Sequence, residues 1–433
     1  MKHLVLLLAV MLFGCTASPE MNGAAPESAL PSPDSLVARG PVKTGAHVLA
    51  ENGFSLLSGK RVGLIVNHTA RVDSVHLIDL VDRAPGVELV ALFGPEHGIR
   101  GEAAAGERVS SGKDEKTGVP IHSLYGRTRK PTQEMLKDVD VLVFDIQDIG
   151  ARFYTYISTM GYSMQAAAEV GIPFVVLDRP NPLGGIHIAG PILEPEYASF
   201  VGLYPIPIVH GMTVGELARM IQGERMLPGL ERLDLQVIEA TGWRRDMLWP
   251  ETGLAWIPPS PNIPNFETAL VYPGAGFFEA TSGSEGRGTD APFLLVGAAW
   301  ADGEQLATEL NGRNLPGVRF EPASFTPRDI PGVAVDPKLE GNTVEGIRYR
   351  VTDPDVFEPV SAGVHVLHAF YHQAPPSQRD DFINRPDWLG KLTGTNALYE
   401  MLTRGATPEE ILASWQPDTA AFRRDRAPYL LYE

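Results

Sequence analysis

The 433-residue chain has a single cysteine, Cys15. One thiol cannot form an intrachain disulfide, so any core must hold by packing and hydrogen bonding alone. Positive charge is also short: 36 Lys and Arg stand against 53 Asp and Glu, a formal net charge of −17. That balance excludes nucleic acid or an anionic lipid surface as the main partner through long-range attraction, although a local basic pocket remains compatible with it. No segment after the N-terminus is apolar enough to cross a membrane. The chain has no internal repeat, no H-E-x-x-H zinc signature and no G-x-S-x-G nucleophile elbow. His68 and His97 do not have close ligand spacing.

What is present is ample for two domains with large cores, at 44% hydrophobic and 21% charged residues. The 44 glycines and 37 prolines imply many structured loops. At the N-terminus Lys2 and His3 precede the apolar run Leu4 to Phe13, which is too short to span a bilayer and fits a signal-peptide core. It ends at Gly14-Cys15, a lipobox-like arrangement that makes Cys15 the candidate for lipidation; the alternative is a plain secretory signal cleaved near Ala17. Lipidation would place the protein outside the cytoplasm, tethered to a bacterial membrane. Residues 16–44, rich in Ala, Ser, Pro and Glu, read as a disordered tether.

From residue 45 apolar strands alternate with helical segments. Strands are expected at 61–69, 87–93, 138–145, 173–178 and 233–239. Helices are expected at 74–83 and 159–170, with a capping box Thr213-x-x-Glu216 opening another. Fully apolar strands alternating with helices indicate an α/β fold: a mostly parallel, Rossmann-like sheet covered on both faces, spanning 45–245. The second half, 246–433, reads as a smaller α+β domain that closes the cleft. It has a strand at 343–352, helices at 360–372, 395–404 and 407–415, and a proline-rich rigid loop at 256–265. Its glycine-rich loop, 279–289, lacks the spacing of a P-loop or a dinucleotide fingerprint.

Ligands of parallel sheets bind beyond the carboxyl ends of the strands. Here successive strands end in Asn67-His68, Glu96-His97, Asp145-x-Gln147-Asp148 followed by Arg152, and Asp178-Arg179-x-Asn181. Four polar strand ends are expected to share one pocket. Glu96 sits in Phe93-Gly-Pro-Glu-His-Gly-Ile-Arg-Gly101, where glycine and proline stiffen the loop, and it is the first candidate for general acid or base. Asp148 and Asp145 are candidates for a second carboxylate, with Asp148 favoured; a carboxylate pair is the usual equipment for glycoside hydrolysis. Asp145 is equally well read as a structural cap. His68 and His97 with either aspartate form the weaker option of a metal site. Arg100, Arg152, Arg179 and Arg287 offer cations for an acidic substrate group, each alternatively an internal salt bridge. Tyr154, Tyr156 and Trp256 are candidates for stacking on sugar.

The runs 63–69 (GLIVNHT), 92–101 (LFGPEHGIRG), 123–126 (SLYG) and 143–156 (VFDIQDIGARFYTY) resemble the exo-β-N-acetylmuramidase family. So do 177–185 (LDRPNPLGG), 210–217 (HGMTVGEL), 259–262 (PSPN) and 284–289 (SEGRGT). The resemblance implies release of N-acetylmuramic acid from the non-reducing ends of peptidoglycan fragments, in a cleft between a Rossmann-like domain and a smaller one. Rossmann-like here means sheet architecture and does not imply NAD; no cofactor and no metal are expected. Glu96 falls on the family's leading catalytic glutamate. Around it Asn67, His68, His97, Arg100, Gln147, Arg152, Tyr154, Arg179, Asn181, Ser260, Asn262, Glu285 and Arg287 become candidates for substrate binding. Muropeptides or disaccharides are the expected partners. The lactyl carboxylate of muramic acid would suit one of the arginines. Two other readings stay open: a metal-dependent hydrolase of wall amides or esters, and a non-catalytic muropeptide-binding lipoprotein.

Overall fold

Strands whose central members are mostly Val, Leu, Ile and Phe build the main sheet of the structure, a computed structural model that describes residues 41–100 and 112–433. Cys15 and the lipobox lie outside the described residues. The sheet strands are β1 (Arg61–Val66), β4 (Glu88–Gly94), β5 (Gly112–Lys113), β6 (Pro120–Ser123), β7 (Val141–Asp145), β8 (Phe174–Leu177) and β9 (Leu235–Ile238). Two-residue strands β2 (Arg71–Val72) and β3 (Val75–His76) form a separate small hairpin. The seven strands run in the order β5-β6-β4-β1-β7-β8-β9. All neighbours are parallel except β5, which is antiparallel to β6. The chain therefore winds outward from β1 through β4 to β6, returns across β1 to β7, and winds the other way to β9. That reversal is the switch point at which doubly wound sheets open a crevice.

Period-two alternation sends the two sides of each strand into different cores. Val62, Leu64 and Val66 of β1 and Val141 and Val143 of β7 pack on one face, with Leu77, Ile78 and Val81 of helix α2. That face is also covered by α1 (Gly45–Glu51); α2 spans Leu77–Asp82. Ile65, Leu142 and Phe144 point the other way, into a larger core with Ile157, Met160 and Met164 of α4 (Tyr156–Val170). The short α3 (Gln133–Leu136) and α5 (Val214–Gly223) complete the helices of this half. Thr213 and Glu216 form the expected capping box at the start of α5.

The larger core continues without a break into the second half. There β10 (Leu295–Ala298), β11 (Val318–Phe325) and β12 (Val344–Val351) make an antiparallel sheet in the order β10-β12-β11. Helices α6 (Phe266–Ala275), α7 (Gly303–Gly312) and α8 (Pro359–Gln373) accompany it. Gly274 of α6 and Gly363 of α8 touch backbone to backbone, so a Cβ on either would collide with the other helix. Short helices α9 (Arg379–Phe382), α10 (Pro386–Thr393), α11 (Ala397–Thr403), α12 (Pro408–Ser414) and α13 (Gln416–Asp425) finish the chain.

The mixed α/β architecture with a smaller sheet-and-helix part agrees with expectation. Several boundaries differ. The helix expected from residue 74 starts at Leu77, because Val75-His76 pairs with Arg71-Val72 and His76 caps the helix instead. Helix α4 starts at Tyr156, earlier than Thr159. Residues 41–44, assigned by composition to the tether, pack on the body: Val42 is buried and Lys43 exchanges backbone hydrogen bonds with Thr241.

Candidate active site

The carboxyl ends of β4, β6 and β7 deliver three loops to one cavity of ≈500 Å³. From the first come Glu96 and His97, from the second Tyr125 and Arg129, from the third Phe153 to Tyr156. The second half supplies the opposite wall: Ser260, Asn262, Ile263, Tyr272, Glu279, Arg287, Phe293 and, from α10, Trp388, Lys391 and Leu392. Ser199, Phe200 and Val201 contribute from the loop before α5. The volume falls within the range of small-molecule sites.

The Glu96 loop is conformationally costly. His97 has φ 71° and Gly98 φ 73°, so two successive residues are left-handed and only one is glycine. A non-glycine residue there costs on the order of 1–2 kcal/mol, which surrounding structure must supply. Phe293, across the cavity, is also left-handed at φ 63°. His97 is buried and Glu96 half-buried, so the carboxyl group is presented while its neighbour anchors the turn.

Tyrosines surround Glu96. Burial, then the Glu96 charge and a hydrogen bond to it, raise the pKa of Tyr125. Tyr154, Tyr156 and Tyr272 are largely buried and have their pKa values raised chiefly by that burial, with the Glu96 charge adding to it. Tyr156 donates to the Pro259 carbonyl at 2.6 Å, and His68 Nε2 lies 2.6 Å from the Pro258 carbonyl. The proline-rich loop is thus pinned to the first half at both residues. Asn262 Nδ2 donates to the Val333 carbonyl at 2.8 Å. Asn262 Oδ1 is buried without a hydrogen-bond partner, an unmet acceptor at the cavity wall.

A second carboxylate in this cavity is Glu279, a residue that spacing alone did not single out. Arg287 Nη2 donates to it at 3.0 Å. Burial disfavours the Arg287 charge, but Glu279 and then Glu285 outweigh that and raise its pKa. The guanidinium also lies 5.2 Å from the Phe293 ring centroid. Both Glu279 and Glu96 act on Tyr272, which stands within reach of both.

Of the expected site residues the structure brings Glu96, His97, Tyr154, Ser260, Asn262 and Arg287 to the cavity, with Tyr156. The others have different work. Asp145 is fully buried in a bidentate pair with Arg179, at 2.5 and 3.0 Å, which ties the ends of β7 and β8 together. Asp148 is closed off behind the tyrosine wall: its Oδ2 accepts from Gly150 N–H at 2.7 Å, its Oδ1 has no partner, and burial pushes its pKa up to about 7. Gly150 has φ 81°, and a Cβ there would collide with Asn181 Oδ1. Asn181 donates to the Met212 carbonyl and Gln147 to the Asp148 and Pro180 carbonyls, so both fasten loops. Asn67 caps its own turn through Thr69. Asp178 caps α5, accepting from Thr213 Oγ1 and Gly215 N–H at 2.7 Å each.

The arginines are likewise occupied. Arg100 pairs with Asp114 at 2.8 and 3.0 Å, Arg152 donates to the carbonyls of Pro191, Ile206 and Leu392, and Glu285 is held between Arg287 and Lys338. The internal salt-bridge alternative therefore describes Arg100 and Arg179 and also Arg287, while Arg152 is spent on backbone carbonyls. Burial lowers the His68 pKa. No group of three or more His, Cys, Asp or Glu among the described residues is arranged to hold a metal ion.

A doubly wound sheet with an acid-bearing, aromatic-walled cavity at its carboxyl edge, roofed by a smaller α+β part, defines a two-part enzyme of the cleft type. Residues 62–267 match the family described as Exo-beta-N-acetylmuramidase NamZ, N-terminal, and residues 270–432 its C-terminal counterpart. The chain belongs to this family. The peptidoglycan beta-N-acetylmuramidase NamZ of Bacillus subtilis (strain 168) is 45% identical over 428 residues, covering 98% of both chains. Two crystal structures of DUF1343 family proteins from Bacteroides fragilis NCTC 9343 share the fold. One has a TM-score of 0.83 at 40% identity and the other 0.73 at 34%, each covering 91% of this chain and 99% of its own.

Proposed function

We propose that the protein is an exo-acting glycoside hydrolase that releases N-acetylmuramic acid from the non-reducing ends of peptidoglycan fragments, with Glu96 as general acid and base. The observation that carries the reading is the placement of Glu96. A chain 45% identical to a peptidoglycan muramidase presents this carboxyl group, on a strained loop, in a cavity walled by aromatic residues. As the glycosidic bond breaks, the protonated carboxyl group gives its proton to the leaving oxygen, and a water molecule that gives up a proton to a carboxylate of the cavity forms the new bond to the anomeric carbon. Tyr125 orients it by hydrogen bonding. Glu279, fixed by Arg287, is the second carboxylate of the cavity and faces the positive charge that develops at the anomeric carbon. The tyrosines and Trp388 supply faces for the sugar ring.

Hydrolysis of a chromogenic N-acetylmuramide, together with release of free N-acetylmuramic acid and no internal chain cleavage of peptidoglycan fragments, is the expected result. Failure to release the sugar from any such substrate would refute the reading. Its address rests on the N-terminal sequence: a signal core ending at Cys15 supports a lipid-anchored, extracytoplasmic enzyme. Mass spectrometry of the mature protein is expected to find a lipidated Cys15 at the N-terminus, and an unmodified N-terminus beyond it would refute the anchor.

A further inference from the structure

Two cations line the cavity without a carboxylate partner. Among the described residues neither Arg129 nor Lys391 makes an ion pair, whereas Arg287 is engaged by Glu279. Arg129 is held in another way. Its guanidinium lies 4.5 Å from the Phe200 ring centroid, and Phe200 is itself stacked on Tyr162, with rings 6.1 Å apart and 15° from parallel. A cation held by the face of an aromatic ring does not spend its N–H donors on a polar partner. The side chain is thus positioned while its hydrogen-bonding capacity stays available. Its charge reaches the Tyr125 hydroxyl that bonds Glu96, so it is close to the reacting end of the cavity. Lys391 projects from α10, one turn after Trp388, on the opposite wall. In a chain of net charge −17, two unpaired cations on one cavity form a local anion site against the global field.

The geometry points to Arg129, with Lys391, as the residues that receive the carboxylate of the substrate, the lactyl group that distinguishes a muramyl from a glucosaminyl end. Glu96 and Glu279 repel that carboxylate, and a planar guanidinium, able to bind it through two parallel N–H donors, gives the bound sugar one orientation in their presence. Arg129 is then a specificity-determining residue, and Phe200 the residue that positions it. The inference rests on the muramidase reading, and the test separates the two. Calorimetry would measure binding of N-acetylmuramic acid and of its lactyl methyl ester to wild type, Arg129→Gln and Lys391→Gln. Wild type is expected to prefer the acid. Arg129→Gln is expected to lose about tenfold or more of affinity for the acid and little for the ester, with Lys391→Gln showing a smaller loss of the same kind. Arg129→Lys keeps the charge without the fork and is expected to recover part of the preference. Equal weakening of acid and ester, or no change in either, would overturn the proposal. If the acid preference depends on Arg129 but the wild type cleaves no muramide, the anion site stands and the hydrolase reading falls.

Discussion

Replacing Asp148 by Asn separates a structural carboxyl group from a catalytic one. The residue is buried, Gly150 N–H donates to Oδ2 at 2.7 Å, and burial raises its pKa to about 7 against 3.8 for an ordinary aspartate. A carboxyl group whose folded pKa is raised contributes stability that is complete below about pH 4. That stability is lost as the pH climbs to about 7, because the unfolded chain releases its proton first. A gap of about 3 pH units at 1.36 kcal/mol per unit sets an upper figure of about 4 kcal/mol; relaxation of the buried site makes about 2–4 kcal/mol the expected range. Asn keeps the acceptor for Gly150 and cannot ionise. Urea denaturation of wild type and Asp148→Asn at pH 4 and pH 7.5 would therefore show the variant gaining about 2–4 kcal/mol relative to wild type on going to the higher pH. Any constant cost of the substitution cancels in this comparison. Turnover of a chromogenic N-acetylmuramide should stay within about tenfold of wild type, because Asp148 does not line the cavity. A stability difference that is the same at both pH values would refute the linkage argument. A thousandfold loss of turnover in a folded variant would restore Asp148 as a catalytic group.

Asp145→Asn removes the partner of a guanidinium buried between β7 and β8, and a cost of about 3–5 kcal/mol in denaturant unfolding is expected; a cost below about 1 kcal/mol would mean that Arg179 reaches water. Glu279→Gln is expected to lower kcat by on the order of a hundredfold or more, with N-acetylmuramic acid still binding in calorimetry. A change confined to KM would make Glu279 a substrate-binding group only.

The sheet was legible because its parallel strands are buried on both faces and so appear as uninterrupted apolar runs, as in Val141–Asp145. The second half was harder for the same physical reason in reverse. Helix α6 carries Pro273 in its interior, which reads as a breaker, and β10 is four residues long with a glycine at its third position. Glu96 could be picked out because Gly94, Pro95 and Gly98 mark a stiff turn at a strand end. Asp148, Asp145, Arg179 and Asn181 follow strand ends by the same rule, yet they fasten neighbouring loops to one another. Spacing places a polar residue at a strand end but cannot tell whether it faces the cleft or the next loop. Glu279 lies inside the apolar turn Gly276–Ala280, and Arg129 in a polar turn after β6. Glu279 reaches the site only through the packing of the second half against the first, and Arg129 through its contact with Phe200, far from it in sequence.

The role of Glu96 is the central claim, and Glu96→Gln tests it most directly. The amide keeps the size and hydrogen-bonding reach of the side chain but cannot exchange a proton. Turnover of a chromogenic N-acetylmuramide is predicted to fall by on the order of a thousandfold or more, with N-acetylmuramic acid still bound in calorimetry. A fall of less than tenfold in a folded variant would contradict the account.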